Sequence, residues 1–147
     1  VTGASPLDAD GFFASGDIAT IDGKGWLRVT DRAADAIKSG GEWMSSGELE
    51  AVAVGHPGVF EAALIALPGT QQRSRRLLVV LRRSSCEVSR EELLDYLAQR
   101  LDRRWLPDDV AFVEHIPHTA TGKVRKGQLR EMFAAHPWPA EIAAPVV

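Results

Sequence analysis

Two largely aliphatic runs, Val59–Leu67 and Leu77–Leu81, constrain this chain more than any other feature. Each has the length and the β-branched or aliphatic content of a strand, and the polar stretch Pro68–Arg76 between them reads as a loop, so they are expected to be neighbours in one sheet. Downstream, Ser89 precedes Glu91 and Glu92, and Leu93, Leu94, Leu97 and Leu101 follow at spacings of one, three and four. A capping serine, acids in the first turn and an apolar stripe together predict a helix. Upstream, Ser45-Ser46 with Glu48 and Glu50 predicts a second helix start, because acids are favoured at the positive end of the helix dipole. Leu49, Val52 and Ala53 give it an apolar face, and His56-Pro57-Gly58 ends it. Val110–Val113 is a third strand candidate. Gln128–Ala135 reads as a short closing helix with Leu129, Met132 and Phe133 turned inward.

Residues 37–136 therefore predict a small α+β domain, a roughly three-stranded sheet with three helices. Residues 1–31 have a different texture. Ile18–Ile21 and Trp26–Thr30 roughly alternate apolar and polar residues around Gly23-Lys24-Gly25, the pattern of a β-hairpin. Such a hairpin is expected to be the end of a larger preceding domain and to pack on something outside this chain. The stretch 137–147 holds three prolines and is expected to be an irregular tail. No internal repeat is evident.

The 147 residues carry a net charge of −3, with 45% hydrophobic and 25% charged residues. That balance is globular and excludes disorder and collagen-like structure. Mild acidity argues against a whole-surface nucleic-acid binder. The longest apolar stretches fall far short of the ~20 residues that span a bilayer, so no transmembrane segment is expected. The chain opens on Val1 with no basic region leading into an apolar stretch, so a piece of a longer polypeptide without a secretory signal is expected. The lone Cys86 excludes an intramolecular disulfide and fits a reducing, cytoplasmic setting.

Three clusters can carry chemistry. In Ser15-Gly16-Asp17, a carboxylate after glycine can accept hydrogen bonds from both hydroxyls of a ribose, although a turn aspartate reads the same way. In Asp31 through Trp43, Arg32 offers a planar fork for phosphate or ribose oxygens. Lys38 and the pair Gly40-Gly41 suit close approach of a polyanionic ligand, with Trp43 as an apolar wall. The plainer reading of that stretch is a surface ion pair, a turn and a core tryptophan. The third cluster is Pro117-His118-Thr119-Ala120-Thr121-Gly122-Lys123. It fails the phosphate-loop pattern, because Pro117 stands where a glycine is needed and Val124 where Ser or Thr is needed. A lysine on a glycine-flanked loop can still bring a mobile ammonium to a transferring phosphoryl group, and the alternative is a solvated basic turn. His115 and His118 have no further ligands nearby, which argues against a metal site. Arg73, Arg75, Arg76, Arg82 and Arg83 read as a solvated face, with a phosphate-docking patch as the lesser reading.

In order and spacing, the three clusters resemble the closing portion of the adenylate-forming superfamily, from Asp8 to Phe133. Ser15-Gly16-Asp17 is similar to its ribose-binding motif, Asp31 through Glu42 to its hinge motif, and Pro117 through Lys123 to its terminal lysine motif. The run Ile37 through Ser46 looks most like fatty-acyl-CoA ligases. The resemblance implies an AMP-forming acyl-CoA synthetase using a small-molecule carboxylic acid, ATP with Mg2+, and CoA. These would be bound mainly with a large N-terminal domain. It implies that Asp17 and Arg32 meet the nucleotide, that Lys123 is catalytic in adenylation, and that Lys38, Gly40, Gly41 and Trp43 face CoA. It further implies a hinge over 32–36 about which a lid, residues 37–136, swings between two poses, and a fragment inactive on its own. The family's usual pivot Asp or Lys is here Ala34, which lacks a polar side chain to hold either pose. Asp31 replaces a common glycine, and Gln71–Arg76 lacks the usual Gly-Glu. Two other readings are an adenylation-domain lid serving a carrier-protein pantetheine, and a non-catalytic α+β binding module.

Overall fold

The computed structural model describes residues 7–33, 35–39, 42–69 and 74–139, and for residues 37–39 and 42–44 it describes the backbone only. The chain opens with an antiparallel hairpin, β1 (Asp17–Ile21) and β2 (Leu27–Arg32). Its turn is organised by Asp22 rather than by the glycines alone. The Asp22 carboxylate accepts from the Lys24 and Trp26 N–H groups at 2.9 and 3.0 Å, and Gly25 takes φ +83°, which a residue with a Cβ rarely adopts. A second hairpin, β3 (Ile37–Ser39) and β4 (Glu42–Met44), pairs Lys38 with Trp43. Strands of three residues are too short to show alternation, and this one was not expected.

Helix α1 (Ser46–Val54) follows, then strands β5 (Val59–Pro68) and β6 (Ser74–Arg82), which pair antiparallel. The polar stretch expected as loop up to Arg76 is partly strand: Ser74–Arg76 belong to β6, and Arg76 is held by Asp108, whose carboxylate accepts from its N–H at 2.7 Å. Residues 70–73 of that stretch lie outside the described residues. Helix α2 (Arg90–Ala98) starts as expected from a full capping box. Ser89 Oγ accepts from Glu92 N–H at 3.1 Å while the Glu92 carboxylate accepts from Ser89 N–H. It ends before Leu101, which still packs against the core from the following turn. A 3-10 turn at Arg103–Trp105 leads into β7 (Asp109–Val113). β7 lies parallel to β6, as a strand reached through a helical crossover can. The closing helix α3 runs Lys126–Met132, earlier and shorter than expected.

The sheet has the order β5-β6-β7 and is covered on both faces. On one, Leu49 and Ala53 of α1 and Leu93 and Leu97 of α2 meet Val59, Ala62, Leu64, Leu78, Val80 and Val110. On the other, Leu129 of α3 and Ile116 meet Ala63, Ile65, Leu67, Leu77 and Val79. A seven-residue helix is not stable alone; α3 exists because Leu129 is fully buried, worth about 2 kcal/mol. Of its expected inward residues, Met132 is corrected: it is 56% exposed, because α3 shows the sheet only the stripe of Leu129 and Phe133. The tail is irregular through Pro139, yet Trp138 packs on the second core with the Arg75 guanidinium 4.4 Å above its ring. Residues 140–147 lie outside the described residues. Among the described residues no helix is long and apolar enough to cross a membrane.

Candidate functional site

Two of the residues singled out for nucleotide contact meet across the first hairpin. Asp17 and Arg32 are register partners in β1 and β2, and the Arg32 guanidinium lies 3.9 Å from the Asp17 carboxylate. Their side chains are 36% and 70% exposed, so both keep most of their bonding capacity for a ligand. Gly16 fixes the approach to this pair. Its carbonyl accepts from Ala33 N–H at 2.7 Å, which ties the start of β1 to the residue after β2.

Asp31, one residue before Arg32, points back into the domain. Its carboxylate accepts from the Ser46 N–H at 2.7 Å and from the Ser46 hydroxyl at 2.9 Å. The Lys126 ammonium donates to that same hydroxyl at 2.6 Å and pairs with Glu50 at 2.8 Å, while Glu50 also accepts from Leu64 N–H. This chain of bonds joins β2, α1, α3 and β5, and sequence reading did not find it. Asp35 is paired with Arg130 of α3. The expected hinge 32–36 is thus tied into the domain on both sides. Ala34, Gly40 and Gly41 lie outside the described residues, and of Lys38 and Trp43 the strand positions alone are described.

Lys123 stands on a loop that holds its own shape. Thr119 N–H donates to the Lys123 carbonyl at 2.7 Å, Gly122 N–H to the Thr119 carbonyl at 2.9 Å, and Lys123 N–H to the Thr119 hydroxyl at 3.1 Å. The Thr119 and Thr121 hydroxyls bond at 2.9 Å. Gly122 has φ +82°, so the turn that precedes the lysine requires glycine. Below the turn, His118 bridges Val124, and Arg125 N–H donates to the Pro117 carbonyl at 2.8 Å. The Lys123 side chain is exposed, and among the described residues its ammonium has no hydrogen-bond or ion-pair partner. No bond among the described residues joins it to Asp17 or Arg32. His118 is not idle: its Nε2 lies 2.6 Å from the Glu61 carboxylate of β5. His115 is exposed. Among the described residues no group of three or more His, Cys, Asp or Glu could hold a metal ion.

Of the arginine run, Arg75 and Arg82 lie over Trp138 and Phe112, Arg76 pairs with Asp108, and Arg83 lies 5.9 Å from the Phe60 ring. These contacts favour the packed, solvated-face reading. Asp109 is a buried acid whose titration is shifted by its partners. Burial resists its ionisation, but bonds from His136, the Val110 N–H and Arg90 outweigh burial and hold its carboxyl below the usual range. It fixes the start of β7 and the tail rather than lining a cleft.

Comparisons with known proteins bear on this arrangement. The medium-chain-fatty-acid–CoA ligase of Ectopseudomonas oleovorans is 42% identical over 125 residues, covering 85% of this chain and 23% of the relative. The 3-methylmercaptopropionyl-CoA ligase of Ruegeria pomeroyi is 45% identical over 128 residues, covering 87% of this chain and 24% of the relative. Among solved structures, ATP-bound MatB from Rhodopseudomonas palustris superposes with a TM-score of 0.78 at 30% identity, over 87% of this chain and 25% of that one. The chain thus spans about a quarter of the length of the curated relatives it matches. The AMP-binding enzyme C-terminal domain matches residues 48–123, more than half of the chain and inclusive of most of α1 and of the lysine loop through Lys123, and the chain belongs to that family.

Proposed function

We propose that this chain is the C-terminal portion of an ATP-dependent, AMP-forming acyl-CoA synthetase acting on a fatty or related carboxylic acid. The observation that carries the reading is Lys123, whose exposed ammonium has no partner among the described residues, on a loop whose turn is bonded to itself. Holding a loop rigid while leaving its one cation free suits a group meant to meet charge that develops elsewhere. Residues 1–31 belong, in this reading, to a larger preceding domain, which carries the acyl pocket and the rest of the nucleotide site. The apolar side chains of the hairpin region support this: Trp26, Phe12 and Ile21 are each at least 70% exposed, more than a free-standing surface usually leaves.

The acid's carboxylate oxygen attacks the α-phosphorus of ATP, the bond to the leaving pyrophosphate breaks, and an acyl-adenylate results. Lys123 stabilises the negative charge on the α-phosphate oxygens as that bond changes hands. Asp17 accepts from the ribose hydroxyls, and Arg32, 3.9 Å away, orients the carboxylate and reaches ribose or phosphate oxygens. The CoA thiolate then attacks the acyl carbon and AMP leaves. For that step the lid, residues 37–136, turns about 32–36 with Ala34 as pivot, which opens the Asp31–Ser46 bonds, and Gly40 and Gly41, which lie between β3 and β4 in sequence, face the pantetheine arm with Lys38 and Trp43. The preceding domain would supply the ligands of Mg2+, which would offset the charge of the ATP phosphates. The exposed, free Cys86 fits a reducing, cytoplasmic enzyme.

The test separates the two half-reactions in the full-length polypeptide that carries this chain. Lys123→Ala is expected to lower carboxylate-dependent pyrophosphate exchange by about 10²–10³-fold. Thioester formation from supplied acyl-adenylate is expected to stay within about twofold of wild type. Equal damage to both half-reactions overturns the role of Lys123, and pyrophosphate exchange by residues 1–147 alone overturns the expectation that this chain is inactive without the preceding domain.

A further inference from the structure

The lysine loop bonds to itself, but a turn that is bonded only to itself can tilt as a unit. Something has to fix its stem to the domain. The stem residues Ile116 and Val124 contribute apolar contact with the second core, which sets depth and leaves rotation free. Among the described residues, the one hydrogen bond that runs from the stem to the rest of the domain is His118 Nε2 to the Glu61 carboxylate, at 2.6 Å and across 57 positions of sequence.

Glu61 sits on the right face for this by strand alternation. It shares a face with Ala63, Ile65 and Leu67, the face on which α3 and Ile116 pack. Alternation alone would then place Val59 on that face as well, but Val59 packs in the opposite core. The register of β5 against β6 shifts between Val59 and Glu61, which restores both placements at once and leaves Phe60 58% exposed. A bulge of this kind re-aims neighbouring side chains. Here it lets Glu61 serve the lysine loop without removing Val59 from the first core. The Glu61 and His118 side chains are 25% and 35% exposed, enclosed enough to favour one geometry and not so deep that they are required for the core.

We propose that Glu61 is a positioning residue for adenylation: by bonding His118 it fixes the stem from which Lys123 is presented. The proposal rests on the reading of Lys123 given above, and it adds a residue that never touches substrate. Misplacing a reacting group by about 1 Å can cost 10²-fold in rate, so losing a directional anchor two bonds of structure away from Lys123 is expected to be felt in turnover.

Two variants in the full-length polypeptide test it, with two readouts. Glu61→Ala removes the acceptor; Glu61→Gln keeps an oxygen that can accept from His118. Amide hydrogen exchange read by mass spectrometry is expected to rise about tenfold over residues 117–125 in Glu61→Ala, with β5 and β6 unchanged and Glu61→Gln like wild type. Pyrophosphate exchange is expected to lose about 10- to 100-fold in kcat in Glu61→Ala, with the KM for ATP little changed and Glu61→Gln restoring most of the rate. Thioester formation from supplied acyl-adenylate is expected to be unaffected. Unchanged loop exchange in Glu61→Ala overturns the proposal, as does failure of Glu61→Gln to rescue. A loosened loop with full adenylation, in an enzyme that Lys123→Ala disables, overturns it too. If Lys123→Ala is itself without effect, the reading of Lys123 fails instead, and the exchange data alone decide whether Glu61 anchors the loop.

Discussion

Asp109 illustrates how much one side chain settles at this size. It is 5% exposed, and its carboxylate is shared among Arg90 of α2, the Val110 N–H at 2.8 Å and His136 at 2.8 Å. Each donor comes from a different part of the chain, so this acid ties the crossover helix, the parallel strand and the tail to one point. His136 in turn lies edge-on to Phe133 and Trp138. Burial by itself would raise the carboxyl's pKa; the three donors outweigh it, and the folded value lies below the ordinary aspartate value of 3.8. A depressed folded value means that ionisation favours the folded state. That contribution is present above pH 3.8 and is lost as pH falls through the lower folded value. Asp109→Asn is therefore expected to cost about 2 kcal/mol at neutral pH. The gap between variant and wild type is expected to narrow in acid below pH 3.8. Urea unfolding followed by circular dichroism at pH 7 and pH 3 checks both statements, and a gap that widens in acid contradicts them.

The two longer helices begin in opposite ways, and the contrast explains what the sequence could announce. Helix α2 is capped by Ser89 and Glu92, three residues apart, so its start was legible as a local pattern. Helix α1 follows Ser45, which looks like a cap, but the Ser45 hydroxyl bonds the Thr30 carbonyl instead. The first N–H of α1 is satisfied by Asp31, fifteen residues upstream on β2. Strand cores, the capping box and the lysine loop were readable because their partners are near in sequence or share a simple period. The Asp31–Ser46–Lys126 chain, the Glu61–His118 contact and the parallel sense of β6 and β7 depend on partners that only folding brings together. The β3–β4 hairpin was missed for another reason, its strands being too short for a pattern. Asp31→Ala is expected to destabilise the start of α1 by about 1 kcal/mol, as loss of a helix cap does. Faster amide exchange at residues 46–49, with α2 unaffected, is the expected signature, and unchanged exchange there contradicts the assignment.

At the scale of the whole molecule, one sheet carries two cores and the leading hairpin adds to neither. Leu77, Leu78, Val79 and Val80 of the central strand are fully buried and alternate between the two cores. By contrast Phe12, Ile21 and Trp26 are 71%, 70% and 74% exposed. If that surface is made to meet a preceding domain, the isolated chain is expected to self-associate through it. Phe12→Ser with Trp26→Ser is expected to reduce association in light scattering while leaving the thermal unfolding of the sheet domain within about 2 °C. A loss of several degrees instead would place these side chains in the fold's own stability. Three of the four tryptophans fall in distinct regions of this architecture: Trp26 on the open hairpin, Trp105 against the first core and Trp138 against the second. Intrinsic emission from single-tryptophan variants can therefore report docking of the hairpin, melting of one sheet face and release of the tail as three separate optical channels, without any added dye.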